Sequence, residues 1–218
     1  MRMLLFGPPG VGKGTQADIL AQHFKFKKFS MGDVLREEIA KGSELGTKVA
    51  PYLNSGTLVP DIIVTDIMHA FIKNNKNMHI LFDGFPRTVT QAQHLDDCLS
   101  AEHMTLDAAV EMHVRNGEIV KRLVNRRYCP QCGKIYNFIT NPPKDDGICD
   151  SCKTQLVKRK DDEEDIIRRR LNVYKQETQP LVQYYRSQSV YTRINAEGSQ
   201  GEVYKEIEKI INAHIAQE

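Results

Sequence analysis

Short apolar runs alternate along this chain with longer stretches in which apolar residues return every three to four positions. Runs of β type occur at residues 3–6, 27–30, 80–82, 108–114 and 190–195. Helical periods follow them: Leu20, Ala21 and Phe24 share a face, as do Ile166, Ile167, Leu171 and Tyr174, and later Val203, Ile207, Ile210, Ile211 and Ile215. Strands alternating with helices predict an α/β fold, a parallel sheet with helices on both faces. Pro180 is expected to bend or divide its helix, because proline removes a backbone donor and clashes with the preceding turn. Two stretches break the rhythm. Residues 30–59 carry Gly32, Gly42, Gly46 and Gly56 and close before Pro60, while residues 125–162 carry cysteines, Pro142-Pro143 and Gly147. Both read as too polar to add core and too long for simple connections, so both are expected to be functional insertions.

Composition narrows the reading. A chain of 218 residues fits one sizeable core with small insertions. A net charge of +2, spread along the chain, gives no broad footprint for nucleic acid or membrane. No apolar run approaches the length that spans a bilayer, and Met1-Arg2 leads straight into the first strand. A cytoplasmic protein is expected, with its five cysteines reduced and available as ligands or free thiols.

The chemistry begins at Gly7-Pro8-Pro9-Gly10-Val11-Gly12-Lys13-Gly14-Thr15, between the first strand and the first helix. Strand, glycine-rich turn, lysine and helix together form a phosphate cradle. The glycines let successive N–H groups curl round an anion, and the helix dipole points its positive end at the same place. Lys13 adds a mobile cation that can follow a phosphoryl group in transit. The residue after the lysine is Gly14, with the hydroxyl one place later at Thr15. A nucleoside triphosphate is the expected ligand.

Cys129-Pro130-Gln131-Cys132 and Cys149-Asp150-Ser151-Cys152 are two C-x-x-C pairs with sixteen residues between them, the spacing of a tetrahedral four-thiolate Zn²⁺ site. Four protein ligands leave no open position, so the site is expected to be structural; iron could fill the same ligands. Cys98 stands apart as an ordinary thiol.

Ile80-Leu81-Phe82-Asp83 is an apolar strand ending in a carboxylate, followed by Gly84-Phe85-Pro86-Arg87. With the glycine loop upstream, Ser30-Met31-Gly32-Asp33 between, Arg126-Arg127 opening the second insertion and Arg159-Lys160-Asp161-Asp162 closing it, the whole chain resembles the adenylate kinases. The cysteine-bearing insertion looks like the LID of long-form bacterial members that carry zinc. The resemblance implies a P-loop nucleoside-monophosphate kinase fold with a five-stranded parallel CORE (residues 1–29, 60–124 and 163–218), an AMP-binding lobe (30–59) and a LID (125–162). It implies reversible transfer between Mg²⁺·ATP and AMP to give ADP, carried out by a monomer.

Residue by residue, the resemblance assigns Gly10, Val11, Gly12, Lys13, Gly14 and Thr15 to the ATP phosphates, with Asp83 ordering water on Mg²⁺. Arg36 and Arg87 match the pair gripping the AMP phosphate, and Met31, Thr57, Leu58, Val59, Gly84, Phe85 and Pro86 surround AMP, with Gln91 reading adenine. Arg122, Arg126, Arg159 and Arg170 match the arginines closing on the triphosphate and the group in transfer, Arg159 and Arg170 also reaching AMP. Ile135, Tyr136 and Gly198 look like further ATP contacts. The family usually has threonine where this chain has Met31, which can pack on a base but cannot donate a hydroxyl hydrogen bond. Lys13, Arg87, Arg126, Arg159 and Arg170 are the expected catalytic residues. Guanidiniums suit the task because their planar forks bind phosphate oxygens bidentately. Arg168 and Arg169 are expected on a solvated helix face, and the acidic run 161–165 at that helix's favourable N-terminal end.

Overall fold

The computed structural model describes residues 1–216. Five parallel strands, β1 (Arg2–Phe6), β2 (Lys27–Ser30), β3 (Ile80–Asp83), β4 (Ala108–His113) and β7 (Tyr191–Asn195), form one sheet in the order β2-β3-β1-β4-β7. All five coincide with the expected apolar runs. Successive side chains of β1 point to opposite faces, and both faces are covered. Leu4 and Phe6 join Phe29, Phe82, Met68 and Leu95 on one side, beneath α4 (Asp61–Asn75) and α5 (Val89–Ala101). Met3 and Leu5 join Leu81, Val110, Leu20 and Ile207 on the other, beneath α1 (Lys13–Phe24) and α9 (Gln200–Ile215).

The first insertion folds as α2 (Met31–Lys41) and α3 (Glu44–Ser55), with Ser30 and Ser43 accepting hydrogen bonds at the two helix starts. It corrects one expectation. Met31, Leu35, Val49 and Val59 are buried within the main core, so this stretch does add to it. The polar average hid an apolar stripe on each amphipathic helix. The second insertion contains a two-stranded antiparallel ribbon, β5 (Arg126–Tyr128) and β6 (Ile135–Asn137), reached from α6 (Asn116–Val124) and left by a tight turn at Lys160–Asp162. Its own core is small: Cys129, Tyr136, Cys149 and Leu156. Helix α7 (Glu164–Val173) then opens into a π-helical turn at Tyr174–Thr178, and α8 (Leu181–Ser187) follows Pro180, which divides the helical stretch as expected. Among the described residues no helix is long and apolar enough to cross a membrane.

Candidate active site

The carboxyl ends of the parallel strands carry the loops, which is where ligands bind in sheets of this kind. After β1 the chain turns through Gly7, Gly10 and Gly12, all with positive φ (144°, 80° and 108°). A Cβ on Gly7 would collide with the Met112 carbonyl oxygen and one on Gly10 would stand 2.6 Å from Leu123 Cγ, so neither position admits a side chain. Helix α1 starts beyond it with no side-chain cap and no acidic residue in its first turn. Its first N–H groups and its dipole are thus uncommitted to any protein anion. Lys13 folds back over the loop, donating to the carbonyls of Gly7 (2.7 Å) and Pro8 (2.9 Å).

Asp83, at the end of β3, is 8% exposed, and a Cβ on Gly14 would lie 3.4 Å from its Oδ2. Gly84 follows with φ 64° and stands between Lys13 and Arg87, its Cβ position 3.6 Å from Lys13 Cε and 3.7 Å from Arg87 Nη2. The Phe85–Pro86 peptide is cis, and Arg87 Nε donates to the Gly84 carbonyl at 2.8 Å. Arg36 reaches in from α2, paired with Asp33 at 2.5 Å. Gly32 leaves room for it, since a Cβ there would meet both terminal nitrogens within 3.2 Å.

The far wall comes from the second insertion and α7. Asp162, with no exposed surface, accepts from Arg126 Nε at 2.7 Å and Nη2 at 2.5 Å, and from Arg170 Nη1 at 3.3 Å. Arg170 also pairs with Asp161 at 2.8 Å. Arg159 lies over the Tyr128 ring at 5.6 Å, and its buried Nε has no hydrogen-bond partner. Asp161 and Asp162, expected only as helix-end charges, therefore act as the clamps that orient two arginines. Their adjacency to Arg159-Lys160 in the sequence was the available signal.

These cations strain against one another. Desolvation pushes Lys13 down to about 7 despite nearby Asp83, with Arg87, Arg170 and Arg126 adding to the effect. Arg87 is open to solvent over more than a third of its surface, yet the crowded cleft strips water from its guanidinium. That desolvation, with Arg170 and Arg36 close by, pushes it down to about 10. Burial and the charges of Arg36 and Arg126 push Arg159 to about 9, and burial lowers Arg170 as well. The arginines stay cationic at neutral pH. Asp83 shifts the opposite way, raised by burial against the pull of Lys13 and Lys28. Among the described residues neither Arg87 nor Arg159 has a carboxylate at ion-pair distance, which leaves positive charge for an incoming anion to neutralise.

Not every expected residue points into this cluster. Arg122 is tied to loop backbone, its Nη1 donating to Ala196 at 3.0 Å and Val11 at 3.5 Å and its Nη2 to Glu197 at 3.3 Å, beside Gly198. It braces the glycine loop against the segment before α9. Tyr136 is 1% exposed, and its hydroxyl accepts from the Asp150 N–H at 2.9 Å inside the cysteine lobe. Its side chain is thus a core element of that lobe, while neighbouring Ile135 is half-buried. Thr57, Leu58, Val59, Pro60, Asp61, Thr88, Val173 and Glu177 line a cleft of about 450 Å³. Met31 lies beneath, buried in the core. Arg168 pairs with Glu164 on the solvated face of α7, as expected, while Arg169 reaches the Ser55 carbonyl of α3 at 3.3 Å.

The four cysteines gather in the second insertion, with all their sulfurs within 4.8 Å of one another. Cys132 and Cys149 are 3.7 Å apart, against an edge of about 3.8 Å for a tetrahedron of Zn–S bonds of about 2.3 Å. The two C-x-x-C turns are built alike. In one, Cys129 accepts from the Gly133 N–H and donates to the Lys134 carbonyl; in the other, Cys149 accepts from Lys153 and donates to Thr154. Gly133 (φ 74°) and Lys153 (φ 57°) occupy the same left-handed position. Donor number, spacing and softness fit a tetrahedral metal.

Cations assembled round a phosphate-cradling loop suit the movement of a phosphoryl group between acceptors that are already anionic. Fold and site are those of a P-loop nucleoside-monophosphate kinase. The sequence profile described as adenylate kinase matches residues 5–190. The chain is 43% identical over 215 residues to the adenylate kinase of Petrotoga mobilis, covering 98% of each chain. It is 41% identical over 212 residues to that of Archaeoglobus fulgidus (97% of this chain, 98% of the other) and 37% identical over 212 residues to that of Thermococcus onnurineus (97% and 94%). The chain belongs to the adenylate kinase family.

Proposed function

We propose that this protein moves the γ-phosphoryl group of Mg²⁺·ATP onto AMP and back, ATP + AMP = 2 ADP, with the two nucleotides facing each other across the arginine cluster. The observation that carries the assignment of roles is that Arg87, Arg126 and Arg170 all lie near enough to Lys13, at the end of β1, for their charges to help lower its pKa. ATP lays its phosphates on residues 10–15, and AMP enters the cleft lined by Thr57, Leu58 and Val59 with its phosphate toward Arg36 and Arg87. An AMP phosphate oxygen attacks the γ-phosphorus, the bond to the β-bridging oxygen breaks, and ADP leaves with that oxygen's electron pair. No general base is needed. Arg126, Arg159 and Arg170 meet the charge that spreads over the equatorial oxygens. Asp83 would hold Mg²⁺ through its water, and the ion would offset charge on the β- and γ-phosphates.

We also assign residues 30–59 as the AMP lobe and 125–162 as a LID that closes over the site and excludes water. The four cysteines would hold a structural zinc that keeps the LID rigid as it moves. The test of the whole reading is phosphoryl transfer to a panel of nucleoside monophosphates, set out below.

Lys13 supplies a pH prediction. With its pKa near 7 in the free site, it is largely neutral at pH 8, and a bound triphosphate raises that pKa again. ATP binding should therefore take up close to one proton per site at pH 8 and almost none from this group at pH 6. Affinity is full below about 7 and falls as pH rises through that value. Calorimetric titration in buffers of different ionisation enthalpy measures the uptake, and Lys13→Met should abolish it. Equal uptake in that variant would move the proton elsewhere.

A further inference from the structure

Gln91 is 3% exposed, and both ends of its amide are engaged. Its Oε1 accepts the Arg87 backbone N–H at 2.8 Å, and its Nε2 donates to Asp61 Oδ1 at 2.6 Å. Asp61 is held in turn by Thr88, whose hydroxyl donates to Oδ2 at 3.4 Å, while the same hydroxyl accepts the Gln91 backbone N–H at 3.1 Å. Asp61 and Thr88 both line the 450 Å³ cleft.

The partners fix the amide's polarity. A backbone N–H can only donate and an ionised carboxylate can only accept. Turning the amide over would set two donors face to face at Arg87 and two acceptors face to face at Asp61. An amide offers two lone pairs and two protons, so one of each remains once these bonds are made. Their order is no longer free. Adenine presents an amino donor at C6 beside an acceptor ring nitrogen, whereas hypoxanthine presents a carbonyl acceptor beside a ring N–H. The same amide fits one base in one orientation and the other base when reversed.

We propose that Asp61 is a positioning residue for base selection: by locking the Gln91 amide in one orientation it makes the cleft prefer a 6-amino purine over a 6-oxo purine. The proposal rests on the reading of Gln91 as the base-facing residue and goes beyond it. Asp61 touches the amide and leaves phosphoryl chemistry to the arginines. Its alternative role, favourable negative charge in the first turn of α4, would carry no base preference.

The experiment compares kcat/KM for AMP and IMP, with Mg²⁺·ATP as donor, in the parent chain, Asp61→Asn, Asp61→Glu and Gln91→Ala. Asparagine can serve as donor or acceptor, so Asp61→Asn should lower the AMP-to-IMP ratio roughly 10- to 100-fold, by removing a contact that would oppose a reversed amide. The KM for ATP should not follow. Asp61→Glu keeps an acceptor-only group and should retain the preference. A collapse of the ratio in Gln91→Ala with no change in Asp61→Asn overturns the role of Asp61 and leaves Gln91 as the reader. An unchanged ratio in Gln91→Ala overturns the base reading, and the proposal with it. Should Asp61→Asn fail to fold, the ¹⁵N spectrum of the parent chain decides. Gln91 side-chain protons that exchange slowly with solvent are expected, and exchange as fast as that of exposed glutamines contradicts a locked amide.

Discussion

Arg87→Ala is expected to lower kcat/KM for AMP by roughly 10²- to 10³-fold, the loss that follows removal of one preorganised charge donor from a transfer site. Arg87 has its Nε fixed on the Gly84 carbonyl and, among the described residues, no carboxylate at ion-pair distance. Its charge is thus kept for substrate. Arg87→Lys should recover little, since an ammonium cannot reproduce a planar fork. Arg87→Ala should leave the ligand-free protein as stable as before, or slightly more so, because it removes one cation from a group that repels itself. Steady-state kinetics beside thermal melts without nucleotide read both effects. Near-normal kcat/KM would place the AMP phosphate elsewhere, and a large fall in melting temperature would make Arg87 a structural residue.

The second large effect falls on stability. Cys129→Ser with Cys149→Ser, or removal of metal by a strong chelator, is expected to lower melting far more than turnover at low temperature. The lobe's apolar core is Cys129, Tyr136, Cys149 and Leu156, too little apolar surface to hold a fold unaided. Metal binding would therefore supply most of its folding free energy. A loss of about 4 kcal/mol, in the range of a lost metal site, corresponds to a fall of roughly 8–16 °C for a chain of this size. The CORE keeps its own two-sided core, so the lobe should melt first as a separate step. Calorimetry with metal analysis measures it. Unchanged melting in a variant that has lost its metal would end the structural role.

Much of this was legible in the chain. The five strands fell on the expected β-type runs, and the glycine loop, the sequence 83–87 and the paired cysteines are local motifs whose spacing carries their geometry. What escaped depends on contacts between distant elements. Asp162 reads as a helix-end charge until the fold sets it between Arg126 and Arg170. Arg122 and Tyr136 have the right residue types, but packing turns one toward the loop before α9 and the other into the cysteine lobe. Residues 30–59 looked polar because each helix buries a narrow apolar stripe and exposes the rest of its surface.

Phosphoryl transfer from Mg²⁺·ATP to AMP, CMP, UMP and GMP, compared side by side with purified protein, tests the central claim most directly. Rapid ADP formation with AMP, far ahead of the other three, is the predicted result, with Met31 tolerated beneath the cleft. Transfer that favours another base would contradict the adenine reading of Gln91, and no transfer to any acceptor would contradict the account of the arginine cluster as a phosphoryl-transfer site.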